Sequence, residues 1–569
     1  MSSMSTRNRS TAKSPLLVSI VLVAIYALIP VQTAVGGELI ARIVDVDTGK
    51  TLAGRVYVEN LSAKENTPKW YFVRPVTATA SAIAYKEQWV KMAQSVERHT
   101  TVSADSFQVS LPPGNYRITI VRGKEYIPAT FDLQLGNEDT SRLFRIRRFV
   151  DLASLNWFSG ETHVHRRISE LHNVQLAEDL NVTFPVTYWT INSSKSPDLH
   201  PSPLRREGPS PFGARQDAGK TVIQIDDTHV MFPRNTEYEI FGIGEKRHVL
   251  GAVFLLNHKT VFSETMPPVA EIANKAHAEG ALLDLDKHNW PWSMMLVPIA
   301  KIDLFELANN SMWRTKFGFK SPASVFPRQW GIQRQPEGLT ELGWIQSGLQ
   351  NYYSLLNCGF KLTPTAGTAS GVHPVPLGFS RVYVHLSKGF NADEWLRGLK
   401  QGRSFVTTGP ILLARVNGLY PGETIRSPVD EKTQVAVKGK VVYHQKVDRV
   451  ELVGTGFVQR LEVSWKQLES GAWEGSFEHQ HDLSRSSFVA VRAFQFSDNG
   501  RVRFAHTAPW HVQIGDERIR PFKWEVDFFI DQMEKQIARN HEVLGVAALD
   551  EFKEALHIYR KIQERAIEQ

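Results

Sequence analysis

The apolar pattern of this 569-residue chain changes period along its length, and that change limits the fold more than any single motif. From residue 38 to 149 apolar positions alternate. Phe107, Val109 and Leu111 precede Leu111-Pro112-Pro113-Gly114, and Tyr116, Ile118 and Ile120 alternate after it. Period two around a Pro-Gly turn predicts a β-hairpin. Ala41 to Val46 reads as a strand closed by the turn Asp47-Thr48-Gly49-Lys50. From 150 to 410 helical and strand patterns alternate, which predicts an α/β domain. In one such unit Pro267 and Pro268 start a helix with Val269, Ile272, Ala273 and Ala276 on one face. Gly280 ends it, and Ala281 to Asp286 forms a short strand. From 411 to 520 period two returns, at Val450 and Leu452, at Leu461, Val463 and Trp465, and at Val489, Val491 and Ala493. From 521 to 569 the spacing is helical. Phe529, Met533 and Ile537 form one stripe and Leu549, Phe552, Leu556, Tyr559 and Ile562 another, with Gly545 between, which predicts a helical hairpin packed on the body.

The expected architecture is multi-domain α/β plus all-β: a β-sandwich (37–149), a central α/β domain (150–410), a second β-sandwich (411–520) and the hairpin. The one cysteine, Cys358, excludes an intrachain disulfide framework and any Cys-rich zinc or iron–sulfur site. It reads as a buried small hydrophobe. The formal charge of +7 falls to +4 without the first 36 residues, leaving 63 basic against 59 acidic groups. That balance, without a basic stripe, gives no footprint for nucleic acid. Arg7, Arg9 and Lys13 precede an apolar run from Leu16 to Val31 and the small residues Ala34 to Gly37. This is the pattern of a secretory signal over residues 1–36, and the expectation is export to the periplasm or medium. An uncleaved anchor is the alternative, but the run is shorter than the ~20 residues a bilayer needs.

The chemistry concentrates in Ser159-Gly160-Glu161-Thr162-His163-Val164-His165, after a predicted strand from Ala153 to Phe158. Histidines at i and i+2 on a strand end point the same way, so both imidazoles can reach one cation. Glu170 follows, on a segment with Leu171, Val174, Ala177 and Leu180 at helical spacing, and then a strand, Phe184 to Thr187.

This order resembles the opening of the PHP domain (polymerase and histidinol phosphatase family), particularly its CehA/McbA-type metallohydrolase branch. The Asp47-Thr48-Gly49-Lys50 and Leu-Pro-Pro-Gly-x-Tyr segments resemble a carboxypeptidase regulatory-like sandwich. The PHP resemblance implies an irregular (β/α)7 barrel with divalent metals at its strand ends. Further segments carry it: Glu237-Tyr238-Glu239-Ile240 with His248-Val249-Leu250-Gly251, Asp286-Lys287-His288-Asn289, Asp303 to Asn309, and Pro364 to Ser370. It implies metal ligands at His163, His165, Glu239, His248, His288 and Glu306, with Glu237 competing for the Glu239 slot and Lys287 for the His288 slot. It implies one or two divalent ions, zinc first, with manganese or iron as alternatives. Asp286 and Glu170 are candidate proton shuttles and Arg166 and Arg167 candidate anchors for an anionic substrate, one small or derived from a polymer.

Two slots depart from the family. Thr187-Tyr188-Trp189-Thr190 replaces its Thr-Asp-His-Asn, and Gly367-Thr368-Ala369-Ser370 replaces its Gly-Ser-Asp-x-His. Tyr188 and Trp189 read as pocket wall or core, His373 as a loop residue near the site, and Asp226 to His229 as a polar run near the pocket. The expected function is a metal-dependent hydrolase acting on an ester, amide, carbamate or phosphoester. The alternatives are a binding protein on a degenerate barrel, for glycan, cell wall or protein, and a glycosidase-like pair of carboxylates.

Overall fold

Alternating burial in the first hundred residues builds two sheets facing one another. The computed structural model describes residues 36–85, 98–199, 219–313, 326–336, 338–428 and 433–568; residues 1–35, nearly all of the expected signal, lie outside them. Gly37–Asp45 lies between Thr140–Ile146 and Phe107–Leu111 in a four-stranded sheet. Gly54–Asn60 and Gly114–Val121 are paired in a six-stranded sheet. Leu39, Val56, Phe107, Leu111, Tyr116 and Ile118 fill the space between. The expected turn also forms: the Asp45 carboxylate accepts from the backbone N–H of Asp47 and Thr48, and Gly49 takes φ +69°.

The expected hairpin does not form. Phe107–Leu111 pairs with Gly37–Asp45, and Gly114–Val121 pairs with Gly54–Asn60 and Ala129–Leu135 in the opposite sheet. Pro112 and Pro113 have no N–H to continue a ladder, so the chain crosses between sheets there. Tyr116 pins the corner by donating its hydroxyl to the Pro112 carbonyl at 2.7 Å.

Residues 150–410 carry mixed α/β structure. One seven-stranded sheet includes Tyr188–Asn192, Asn235–Ile243, Lys246–Leu256, Leu282–Leu285, Leu304–Ala308 and Thr363–Ala366, in that order. All run parallel to one another except Lys246–Leu256, which is antiparallel to both neighbours. Trp157–Val164 and Val182–Pro185 belong to a second sheet of twelve strands. The two sheets meet where Val186 donates to the Val164 carbonyl (2.7 Å) and Val164 bridges to Ser370. The strand expected from Ala153 begins later: Ala153–Leu155 is a 3-10 turn closed by Asn156 in the left-handed region (φ 61°), and the strand runs Trp157–Val164.

The twelve-stranded sheet does not stop at residue 410. Trp157–Val164 pairs with Arg381–His385, which pairs with Ser404–Thr407, which pairs with Val502–Thr507. The second sandwich is therefore this same sheet, covered by a four-stranded one containing Ile411–Val416 and Thr433–Tyr443. Val435, Val437, Leu452, Val489 and Trp510 lie between them.

The terminal hairpin forms as Lys523–Asn540 and Val546–Gln563. Its apolar stripe joins the central core through Phe529, Met533, Phe552 and Tyr559. Tyr559 donates to the Met294 carbonyl at 2.8 Å. Glu551 accepts from the backbone N–H of Val269 and Ala270, at the start of the helix Ala270–Ala278. Among the described residues no helix is long and apolar enough to cross a membrane.

Candidate metal centre

Trp157–Val164 is buried at every position. Its last residues are held from two sides: Ala369 donates to the His163 carbonyl (2.9 Å), and His165 donates to the Ser370 carbonyl (2.8 Å). The two imidazoles converge, with their Nε2 atoms 3.1 Å apart. Phe254 packs edge-on against His163 at 4.5 Å. Glu306, on Leu304–Ala308, places a carboxylate oxygen 2.9 Å from His163 Nδ1. A proton on Nδ1 then leaves the Nε2 lone pair facing the other donors, the orientation a metal-binding histidine needs.

The third donor is Glu237, on Asn235–Ile243. Its Oε2 lies 3.3 Å from His165 Nε2. It is fully buried, and among the described residues neither of its oxygens has a hydrogen-bond partner. His163, His165 and Glu237 form a buried group whose donor atoms all lie within 4.8 Å of one another and which is able to hold a metal ion. Ligands about 2.0–2.1 Å from a tetrahedral ion stand roughly 3.3 Å apart, close to the spacings here.

Burial, with Lys287 nearby, takes His163 down to about 3, so its ring is neutral and available as a ligand. Burial and then Glu239 push Glu237 well above the carboxylate range, and burial with Asp286 does the same to Glu306. A nearby cation would favour the ionised form of these buried oxygens.

Beside this group lies Lys287. Its ammonium is hydrogen-bonded to Asp286 and stands 3.5 Å from Glu239 and 3.7 Å from Glu237. Burial works against that charge, but Asp286, Glu239 and Glu237 outweigh it and hold the lysine well above its usual value. A cavity of about 300 Å³ opens onto the cluster, lined by Trp189, Trp290 and Trp344 and by Asn309, Ser311 and His373.

The structure brings His163, His165, Glu239, Asp286 and Glu306 together, in differing positions. Glu239 lines the cavity and faces Lys287 but stands outside the three-donor group. Asp286 is 4.0 Å from His163 Nδ1.

Five candidates sit elsewhere. His248 bonds Asn540 at 2.7 Å and fastens the terminal hairpin. His288 stands outside the cavity lining, because the chain leaves its strand at Leu285 and turns at His288, where Trp290 donates to the Lys287 carbonyl at 2.9 Å. It stacks on Phe305 at 5.0 Å, and burial lowers it to about 4. Glu170 receives the Tyr85 hydroxyl at 3.4 Å on the side facing the first sandwich. Arg166 is buried, donates to Ser370 Oγ at 2.9 Å and lies 3.9 Å over the Tyr85 ring. Arg167 sits at the start of the helix Ile168–Ala177, its Nε 4.0 Å from Glu170. After His165 the chain turns toward the first sandwich and carries these three away from the cavity.

Asp226 holds His229 at 2.8 Å, away from the cavity lining. Two further buried carboxylates escaped the sequence reading. Glu161 accepts the backbone N–H of Thr368 and Gly378, and Asp284 accepts the Thr365 hydroxyl at 2.9 Å. They tie the Gly367–Gly378 loop and the strand Thr363–Ala366 beneath the site. Their signal was alternation alone, with Asp284 two residues before Asp286. No protein-family model matches the chain, and no curated protein matches its sequence.

Proposed function

We propose that this protein is an exported hydrolase of the PHP type, using one divalent metal ion, zinc first, on a neutral ester, amide or carbamate. The observation that carries the reading is the convergence of His163, His165 and the unbonded Glu237 carboxylate within 4.8 Å at the floor of a cavity. When bound, such an ion supplies a water acidified toward neutrality and polarises the oxygen under attack.

The chain's own groups do the rest. Glu306 holds the His163 proton at Nδ1. Asp286, with one oxygen lacking a hydrogen-bond partner among the described residues, accepts and returns a proton at the cavity floor. Trp189, Trp290 and Trp344 exclude water and favour a substrate with an apolar group. Lys287 stands among three carboxylates where a second cation would have to go, which supports a single ion. With that ion present, Glu237, Glu239, Asp286 and Glu306 still outnumber the positive charges by one. A dianionic phosphoester is therefore disfavoured against a neutral carboxyl derivative.

The test is elemental analysis of the purified protein together with a screen of p-nitrophenyl acetate, a p-nitrophenyl carbamate and p-nitrophenyl phosphate. One ion per chain and ester or carbamate turnover, both lost in His163→Ala/His165→Ala, is the expected result. A folded protein that takes up no zinc, manganese or iron overturns the reading in favour of a binding protein.

A further inference from the structure

A second cavity, of about 400 Å³, lies where the first sandwich, the central domain and the second sandwich meet. Its wall is aromatic and basic. Tyr57, Trp70 and Tyr126 come from the first sandwich, Phe379 from the central domain and Tyr443 from the second sandwich. Four cationic side chains reach it. Two are matched: Arg55 by Glu178 at 2.6 Å and Arg117 by Asp132 at 2.8 Å. The acid on the wall, Glu59, is 3.1 Å from Lys69.

The other two are less closely matched. Lys124 makes no ion pair among the described residues; it donates to the Thr408 carbonyl at 2.9 Å and lies 4.4 Å from the centre of the Phe379 ring. Arg503 lies 5.0 Å from the same ring. Its one acidic neighbour among the described residues is Glu341 at 3.8 Å, and that carboxylate is already gripped by Arg501 at 2.6 and 3.3 Å. His444 completes the wall, and burial with Lys124 and Arg503 lowers it to about 4, so it brings no charge at neutral pH. An ammonium offers three donors and Lys124 uses one on Thr408. Burial, with Arg381, Arg503 and Arg55 nearby, lowers Lys124 well below its usual value, so its charge is costly to keep without a counterion, and a bound anion removes that cost.

We propose that this junction binds a small organic carboxylate with an aromatic body. The carboxylate lies between Lys124 and Arg503, and the ring lies against Phe379 and the tyrosines. Because all three domains line the cavity, the ligand also clamps their packing.

The test is calorimetric titration of the intact protein with benzoate and indole-3-acetate, with benzamide as the uncharged counterpart and inorganic phosphate as the bare anion. Saturable 1:1 binding of a carboxylate is expected, at least about tenfold tighter than benzamide, as a charge-assisted contact requires. Lys124→Met and Arg503→Met should each weaken it by about tenfold or more, and a chelator that strips metal should leave it unchanged. Benzamide binding as well as benzoate, no saturation by about 10 mM, phosphate binding as tightly as the aromatic acids, or undiminished binding in both variants would overturn the proposal. If Lys124→Met fails to fold, the benzoate–benzamide comparison on the natural protein and the Arg503 variant decide the matter.

Discussion

Glu306 stands 2.9 Å from Nδ1 of His163, and that contact decides which nitrogen of the ring is left for a cation. Glu306→Ala should therefore weaken metal binding by about 10–100-fold while His163 and His165 remain in place. Competition against a chromogenic chelator reads this directly. Unchanged affinity would show that the ring needs no such holder.

Gly367 presses on the same pair. A Cβ there would sit 2.3 Å from His163 Cβ and 2.6 Å from a Glu306 oxygen. Gly367→Ala must displace one or both, so it should lose bound metal and cost about 1–3 kcal/mol of stability. Metal content and denaturant unfolding of the variant check the two effects separately.

Lys287→Met leaves Glu237, Glu239 and Asp286 without their cation. Breaking a buried ion pair from one side costs about 3–5 kcal/mol. The apo variant should thus be clearly less stable than the apo parent, and excess divalent cation should recover much of the loss. The natural protein should hold one ion per chain, and Lys287→Ala should admit a second. Equal ion counts in both would remove the idea that the lysine stands in for a cation.

Glu525 links stability to pH. It accepts from Ser354 and Asn357 where the terminal hairpin meets the body, and burial lifts it to about 7 against those lowering bonds. Unfolded, it titrates near 4.5. Between these values the folded chain keeps a proton that the unfolded chain has released, so its contribution to stability falls as pH rises through this window. Unfolding free energies at pH 5 and pH 8 should show that loss, and Glu525→Gln should flatten it. An identical slope in the variant would assign the pH dependence to other groups.

Much of the architecture was legible where one periodicity held over many residues. The helical stripe from Leu549 to Ile562 and the alternation in both sandwiches needed no tertiary information. The partner of each strand did not follow from pattern. Phe107–Leu111 and Gly114–Val121 look like a hairpin, and only the prolines between them send the two into opposite sheets. At the site, the parity of His163 and His165 sufficed to place both rings together. Parity could not choose between Glu237 and Glu239, which share a face, and depth chose instead, with Glu237 fully buried and Glu239 near the rim. For Lys287 and His288 a one-residue step decided which side chain enters the cavity. His248 and Arg166 are held by Asn540 and Ser370, each more than two hundred residues away in sequence, contacts no local window contains.

The unbroken ladder from Trp157–Val164 through Ser404–Thr407 to Val502–Thr507 makes the second sandwich inseparable from the strand that carries the histidines. The first sandwich keeps both of its sheets to itself and meets the rest through side chains, with Arg122 paired to Asp179 and Tyr85 packed among Val164, Ile168 and Leu171. Only that leading module has the makings of an exchangeable cassette. Excising the trailing one would expose a raw sheet edge at Ser404–Thr407, an adhesive surface inviting self-association.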